Sequence, residues 1–164
     1  MIEQQIEQIS REIPPQVQLI AVSKTKPNNA ILSAYSVGQR HFGENKVQEL
    51  CDKWESLPKD IHWHIIGHLQ TNKVKYIAPF IHLIHAVDSI KLLIEIDKQA
   101  KKHDRIISCL LQFHIAKEET KFGLSYSEAK EILESTAYSS LENITIVGVM
   151  GMASFVEDEK QIVT

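Results

Sequence analysis

The feature that most constrains this chain is a repeated alternation of short, β-prone apolar runs with amphipathic helical stripes. Val17 to Val22 has the continuous apolar character of a strand buried on both faces. Pro27 then stands where a first-turn proline is tolerated, and Ala30, Ile31, Ala34 and Tyr35 follow at helical spacing. Gly38 suits the residue just past the end of that helix. Arg40–Phe42, Trp63–Ile66, Ile81–Val87, Ile106–Phe113 and Ile144–Val149 repeat the strand pattern. Between them, Val47, Leu50, Cys51, Trp54 and Leu57 trace one helix face, Leu92, Leu93, Ile96 and Ala100 another. Thr71 to Ala78 reads as a short helix ended by Pro79. Ser125 with Glu128 three residues on forms a capping box ahead of Ala129, Ile132, Leu133 and Ala137. Apolar residues at 2, 6, 9 and 13 add a short amphipathic helix at the start.

Six strand-then-helix units predict parallel strands joined by helical crossovers. A doubly wound dinucleotide fold wants a glycine-rich turn after its first strand. Here that turn is Ser23-Lys24-Thr25-Lys26-Pro27, without a glycine. The expected fold is therefore α/β of the (β/α)₈ TIM-barrel type, with about six of the eight units present. Residues 1–164 are expected to form a single domain whose C-terminal part is missing, since the last residues, 158–164, read as the start of another helix.

Composition excludes several classes. A formal net charge of −3 argues against a general electrostatic grip on nucleic acid. The most apolar stretch, Ile77 to Val87, is interrupted by Pro79, His82 and His85, so no membrane span is expected. The N-terminus lacks the charge and apolar centre of a signal peptide. Cys51 and Cys109 lie in separate apolar segments, read as core thiols in a reducing, cytoplasmic setting.

Chemistry in a barrel gathers at the C-terminal ends of the strands. Lys24 follows the first strand, and a lysine amine can condense with an aldehyde. Position alone favours an ordinary solvated lysine. Gly43-Glu44-Asn45, Gly67-His68, Asp88-Ser89, His114 and Met150-Gly151-Met152 follow later strands. His62 and His64 share a strand face, with His68 nearby, a spacing that could hold zinc. Metal sites need three or four convergent ligands, and neither Cys-x-x-Cys nor His-Glu-x-x-His is present. These histidines are read as pocket wall or core near the mouth of the site, without an assigned role. No Gly-x-Ser-x-Gly elbow supports a serine hydrolase.

Several blocks, in order along the chain, resemble the pyridoxal-phosphate homeostasis proteins. They are Ala21–Pro27 (AVSKTKP), Phe42–Glu49 (FGENKVQE), His62–Lys73 (HWHIIGHLQTNK), Ala86–Ser89 (AVDS), Lys117–Gly123 (KEETKFG) and Gly148–Met152 (GVMGM). The resemblance implies the barrel of the alanine racemase N-terminal domain without that enzyme's second domain. It implies pyridoxal 5'-phosphate held as a Schiff base on Lys24, with Asn45 in the pocket and Met150 packed near the cofactor ring. Lys26 and Lys46 belong to the blocks but are expected to be surface charges. In the family resembled, a Gly-Ser-Thr segment near the C-terminus grips the phosphate, and an arginine a few residues later faces the ring nitrogen; this sequence ends before either. Weakened cofactor binding or an exposed barrel edge is expected of this stretch alone.

The function so implied is cofactor handling in intracellular vitamin B6 homeostasis, without catalytic turnover and with transient contact to pyridoxal-phosphate enzymes. The alternatives are a pyridoxal-dependent amino-acid racemase, which needs a second positioned base, a docking protein, and an inactive barrel fragment.

Overall fold

The computed structural model describes residues 1–115 and 123–151. Within them the elements run α1 (Ile2–Glu12), β1 (Ala21–Val22), α2 (Asn28–Ser36), β2 (His41–Glu44), α3 (Val47–Ser56) and β3 (His62–Ile65). A single 3₁₀ turn (Thr71–Lys73) leads into α4 (Val74–Ile77), followed by β4 (Leu83–Val87), α5 (Ile90–Lys102) and β5 (Ile107–Phe113). The last are α6 (Tyr126–Glu134), α7 (Thr136–Ser139) and β6 (Ile144–Gly151).

The six described strands form one parallel sheet in the order β1-β2-β3-β4-β5-β6. That sequential order decides between the two architectures. A doubly wound sheet reverses its strand order at a switch point, whereas a barrel adds every new strand on the same side. The sheet also curves. His41 on β2 and His82, just before β4, are separated by a whole strand, about 9.5 Å in a flat sheet. Their rings lie 5.3 Å apart. The histidine face is therefore the concave, bore-facing one.

The convex face carries the core. Phe42, Trp63, Ile65, Ile84 and Cys109 point outward from successive strands and are buried with Ile31, Leu50 and Leu93 from the helices. Ser125 caps α6 as expected: the Glu128 N–H donates to Ser125 Oγ at 3.3 Å, and the Ser125 N–H donates to Glu128 Oε2 at 2.8 Å. Gly38 has φ +96° beyond α2, a conformation that favours glycine. Cys109 is buried with its thiol pushed up to about 12 by desolvation, while Cys51 is half-buried.

The first strand is shorter than its apolar run. Residues 17–20 are not strand, Val17 is 48% exposed, and the Leu19 carbonyl accepts from the Gln39 side-chain amide at 3.0 Å instead of from a ladder partner. No helix of the described residues is long and apolar enough to cross a membrane. The KEETKFG block, apart from Gly123, and Met152 lie outside the described residues, as does the stretch 158–164.

Candidate functional site

The loop after β1 is fixed on both sides of Lys24. Ser23 is buried; its N–H donates to the Gly43 carbonyl at 2.9 Å and its hydroxyl to Glu44 Oε1 at 2.5 Å. On the other side the Thr25 N–H donates to Glu49 Oε1 at 2.6 Å. Lys53, reaching in from α3, ties these groups together. Its ammonium donates to Glu44 Oε1 at 2.8 Å, Glu49 Oε1 at 2.7 Å and the Ser23 carbonyl at 2.8 Å. Hydrogen bonding from Lys53 holds the Glu49 carboxyl below its usual range. Thr25 sits at φ +61°, a left-handed conformation unfavourable for a β-branched residue, so the loop is held against local strain. Lys24 itself is exposed. The two lysines thus divide the work: Lys53 is buried and spends its donors on the scaffold, while Lys24 projects from a loop that cannot wander.

Asn45 follows β2 and is half-buried against the turn after β3. A Cβ placed on Gly67 would come within 3.0 Å of Asn45 Cα, Cβ and Cγ, so the glycine is what lets the two strand ends approach. Because one of those atoms is backbone, relief requires moving the end of β2. Gly67→Ala is expected to cost about 1–3 kcal/mol, as overpacking does, read from urea unfolding. His68 Nδ1 lies 3.4 Å from Asp88 Oδ2, joining the ends of β3 and β4. Met150 is half-buried near the end of β6, opposite Gln112 of β5. A register shift between Cys109 and Leu110 sets this pairing and brings Gly148 against Leu110. Lys24, Asn45 and Met150 therefore share the carboxyl end of one sheet, the first two just after β1 and β2 and the third on β6. Lys26 and Lys46 are exposed, as expected.

The histidines correct the sequence reading. His62 begins β3 at the amino end, far from the strand ends that carry Lys24 and Asn45, so that strand does not place it at the mouth of the site. Its spacing partner is not His64 alone. His62 Nδ1 meets His41 Nε2 at 3.1 Å, His41 Nδ1 meets His64 Nε2 at 2.9 Å, and His64 Nδ1 meets His85 Nε2 at 2.9 Å. Four imidazoles thus form a hydrogen-bonded chain up the concave face, each contact sharing one proton. Burial, reinforced by the neighbouring rings, lowers His41 to about 4 and His64 to about 3.

The residues that sequence reasoning missed are Lys53 and Glu49. Lys53 carried only the i, i+4 spacing of opposite charges on α3, which usually marks a solvated pair, and Glu49 stood in the Phe42–Glu49 block without a role.

The alanine racemase N-terminal domain model matches residues 1–163. A pyridoxal phosphate homeostasis protein of Vibrio alginolyticus is 36% identical over 172 residues, covering 96% of this chain and 73% of that protein. The chain belongs to the pyridoxal phosphate homeostasis family of alanine racemase N-terminal domains. The family's protein from Aquifex aeolicus is 38% identical over 145 residues, and the chain spans 63% of that relative's length. Among solved structures, PipY of Synechococcus elongatus without pyridoxal phosphate superposes with a TM-score of 0.91 at 35% identity, covering 99% of this chain and 75% of PipY. PipY with pyridoxal phosphate bound gives 0.83 at 36% identity, covering 95% of this chain and 72% of PipY. The family barrel is the one that the sequential strand order and the curvature describe.

Proposed function

We propose that this chain binds pyridoxal phosphate through Lys24 and handles the cofactor in cytoplasmic vitamin B6 homeostasis rather than turning over a substrate. The observation that carries the reading is the clamped loop, in which an exposed amine is flanked by Ser23 and Thr25, both held by the Glu44–Lys53–Glu49 network. The cofactor supplies an aldehyde that a lysine amine can hold covalently. On the protein side, the fixed backbone limits the positions of the Lys24 amine and so reduces the entropy lost on binding. The close approach at Gly67 sets Asn45 at the same end of the sheet, where its amide would orient the bound group. Met150 would offer an apolar, adaptable surface. PipY, which has been solved with pyridoxal phosphate, supports the reading through its matching fold. Holding a cofactor needs a positioned amine, whereas racemisation also needs a second base placed at the substrate carbon. Transient contact with pyridoxal-phosphate enzymes fits a protein that passes the cofactor on.

The test is borohydride reduction of the chain with pyridoxal phosphate, followed by peptide mass mapping. A single stable label on Lys24, absent in Lys24→Ala and retained in Lys26→Ala, is the expected result. Scattered labelling that is the same in all three proteins would sink the assignment.

A further inference from the structure

The amino ends of β2, β3 and β4 carry His41, His62 and His82, one histidine at each strand start. Each offers a ring nitrogen, and the three nitrogens lie within 4.8 Å of one another. His62 and His82 are exposed and stack with ring centroids 4.5 Å apart, while His41 is half-buried beneath them. We propose that these three histidines form a metal site for a zinc-class divalent ion, at the end of the sheet opposite Lys24.

Geometry, donor type and support all agree. At Zn–N distances of 2.0–2.1 Å, tetrahedral ligands stand roughly 3.3–3.4 Å apart. His41 Nε2 and His62 Nδ1 are already 3.1 Å apart. The widest separation has to close by about 1.5 Å at most, which rotation of two exposed rings supplies. An ion placed there replaces the proton that His41 and His62 share. Imidazole nitrogens select Zn²⁺, Co²⁺, Ni²⁺ or Cu²⁺ over Mg²⁺ and Ca²⁺, which want oxygen ligands. Three protein ligands leave a fourth position for water.

The second layer is also in place. A ligating histidine usually donates its other ring N–H to a partner that fixes its tautomer. With Nε2 on the metal, the His41 Nδ1–H donates to His64 Nε2, and the His64 Nδ1–H to His85 Nε2. The chain of buried rings thus aims His41 at the ion. Entry is from solvent, past His62 and His82.

The experiment is titration of the tag-free, metal-stripped full chain with Zn²⁺ by calorimetry and with Co²⁺ by visible absorption, in the absence of pyridoxal phosphate. One ion per chain is expected, with the intense absorption of four-coordinate Co²⁺ and no heat with Mg²⁺ or Ca²⁺. His62→Ala and His82→Ala, both at exposed positions, should each weaken uptake by about tenfold or more. His103→Ala, at the far end of α5, should leave it unchanged. Circular dichroism matching the wild type shows that each variant is folded. No saturable uptake, uptake unchanged in either triad variant, or an equal loss in His103→Ala would overturn the site.

Discussion

Replacing Lys53 by methionine is expected to remove about 3–5 kcal/mol of stability, the usual cost of breaking a buried ion pair by deleting one partner. Glu44 is fully buried and Lys53 is 5% exposed, so the carboxylate left behind has no solvent to turn to. Glu49 and the Ser23 carbonyl lose their shared donor in the same change. Deleting both charges, with Glu44→Leu beside Lys53→Met, should cost less than Lys53→Met alone, because an apolar pair of similar volume carries no desolvation penalty. Urea unfolding of the single and double variants checks this. A loss below about 1 kcal/mol in Lys53→Met would show that Glu44 relaxes toward water or another donor. The double variant also separates stability from positioning. Its fold is restored while Ser23 has lost Glu44 and Lys53 as partners and Glu49, still under the Thr25 N–H, has lost the ammonium that anchors it, so borohydride labelling of Lys24 should remain impaired.

The sequence made the repeating architecture legible because helix stripes and capping signals are local. Val47, Leu50, Cys51 and Trp54 sit on one helix, and Ser125 with Glu128 caps another, as their spacing implies. Choosing barrel over open sheet rested on a missing glycine motif, and the strand order supports that choice independently. The first strand was over-read because apolar character alone does not say what satisfies the backbone. A glutamine 20 residues away takes the Leu19 carbonyl. Lys24 and Asn45 could be read from motifs, but the network that fixes the Lys24 loop could not. Lys53 shows no apolar signal, and its burial comes from packing α3 against the β1 and β2 ends. The histidines did carry a signal, at a different period. His41, His62 and His82 are 21 and 20 residues apart, and His64 and His85 are 21 apart, about one strand-helix repeat. Looking two residues along one strand paired His62 with His64; looking one repeat ahead finds the ring beside it on the next strand.

That same stacking sets how the fold responds to acid. Lowering the pH of the metal-free protein from 7 to 4.5, with chelator present, is expected to remove about 2–3 kcal/mol of stability through His64. An unfolded imidazole titrates near 6.5, whereas burial holds His64 to about 3 in the native state. Between those values the unfolded chain binds a proton that the native chain does not. Stability is therefore complete above about 6.5 and declines as the pH falls toward 3. Every titratable group facing His64 opposes its protonation: His41 from β2, His62 from its own strand, and His82 and His85 from beside and within β4. Half-buried His41, lowered to about 4, adds to the loss in the same window. His64→Gln keeps an amide between His41 and His85 but cannot take a charge, so its stability should fall less between pH 7 and 4.5, by about 2–3 kcal/mol. Urea unfolding at the two pH values measures the difference. An equal fall in both proteins would mean that His64 is protonated in the native state, and that the chain opens to water before the fold does.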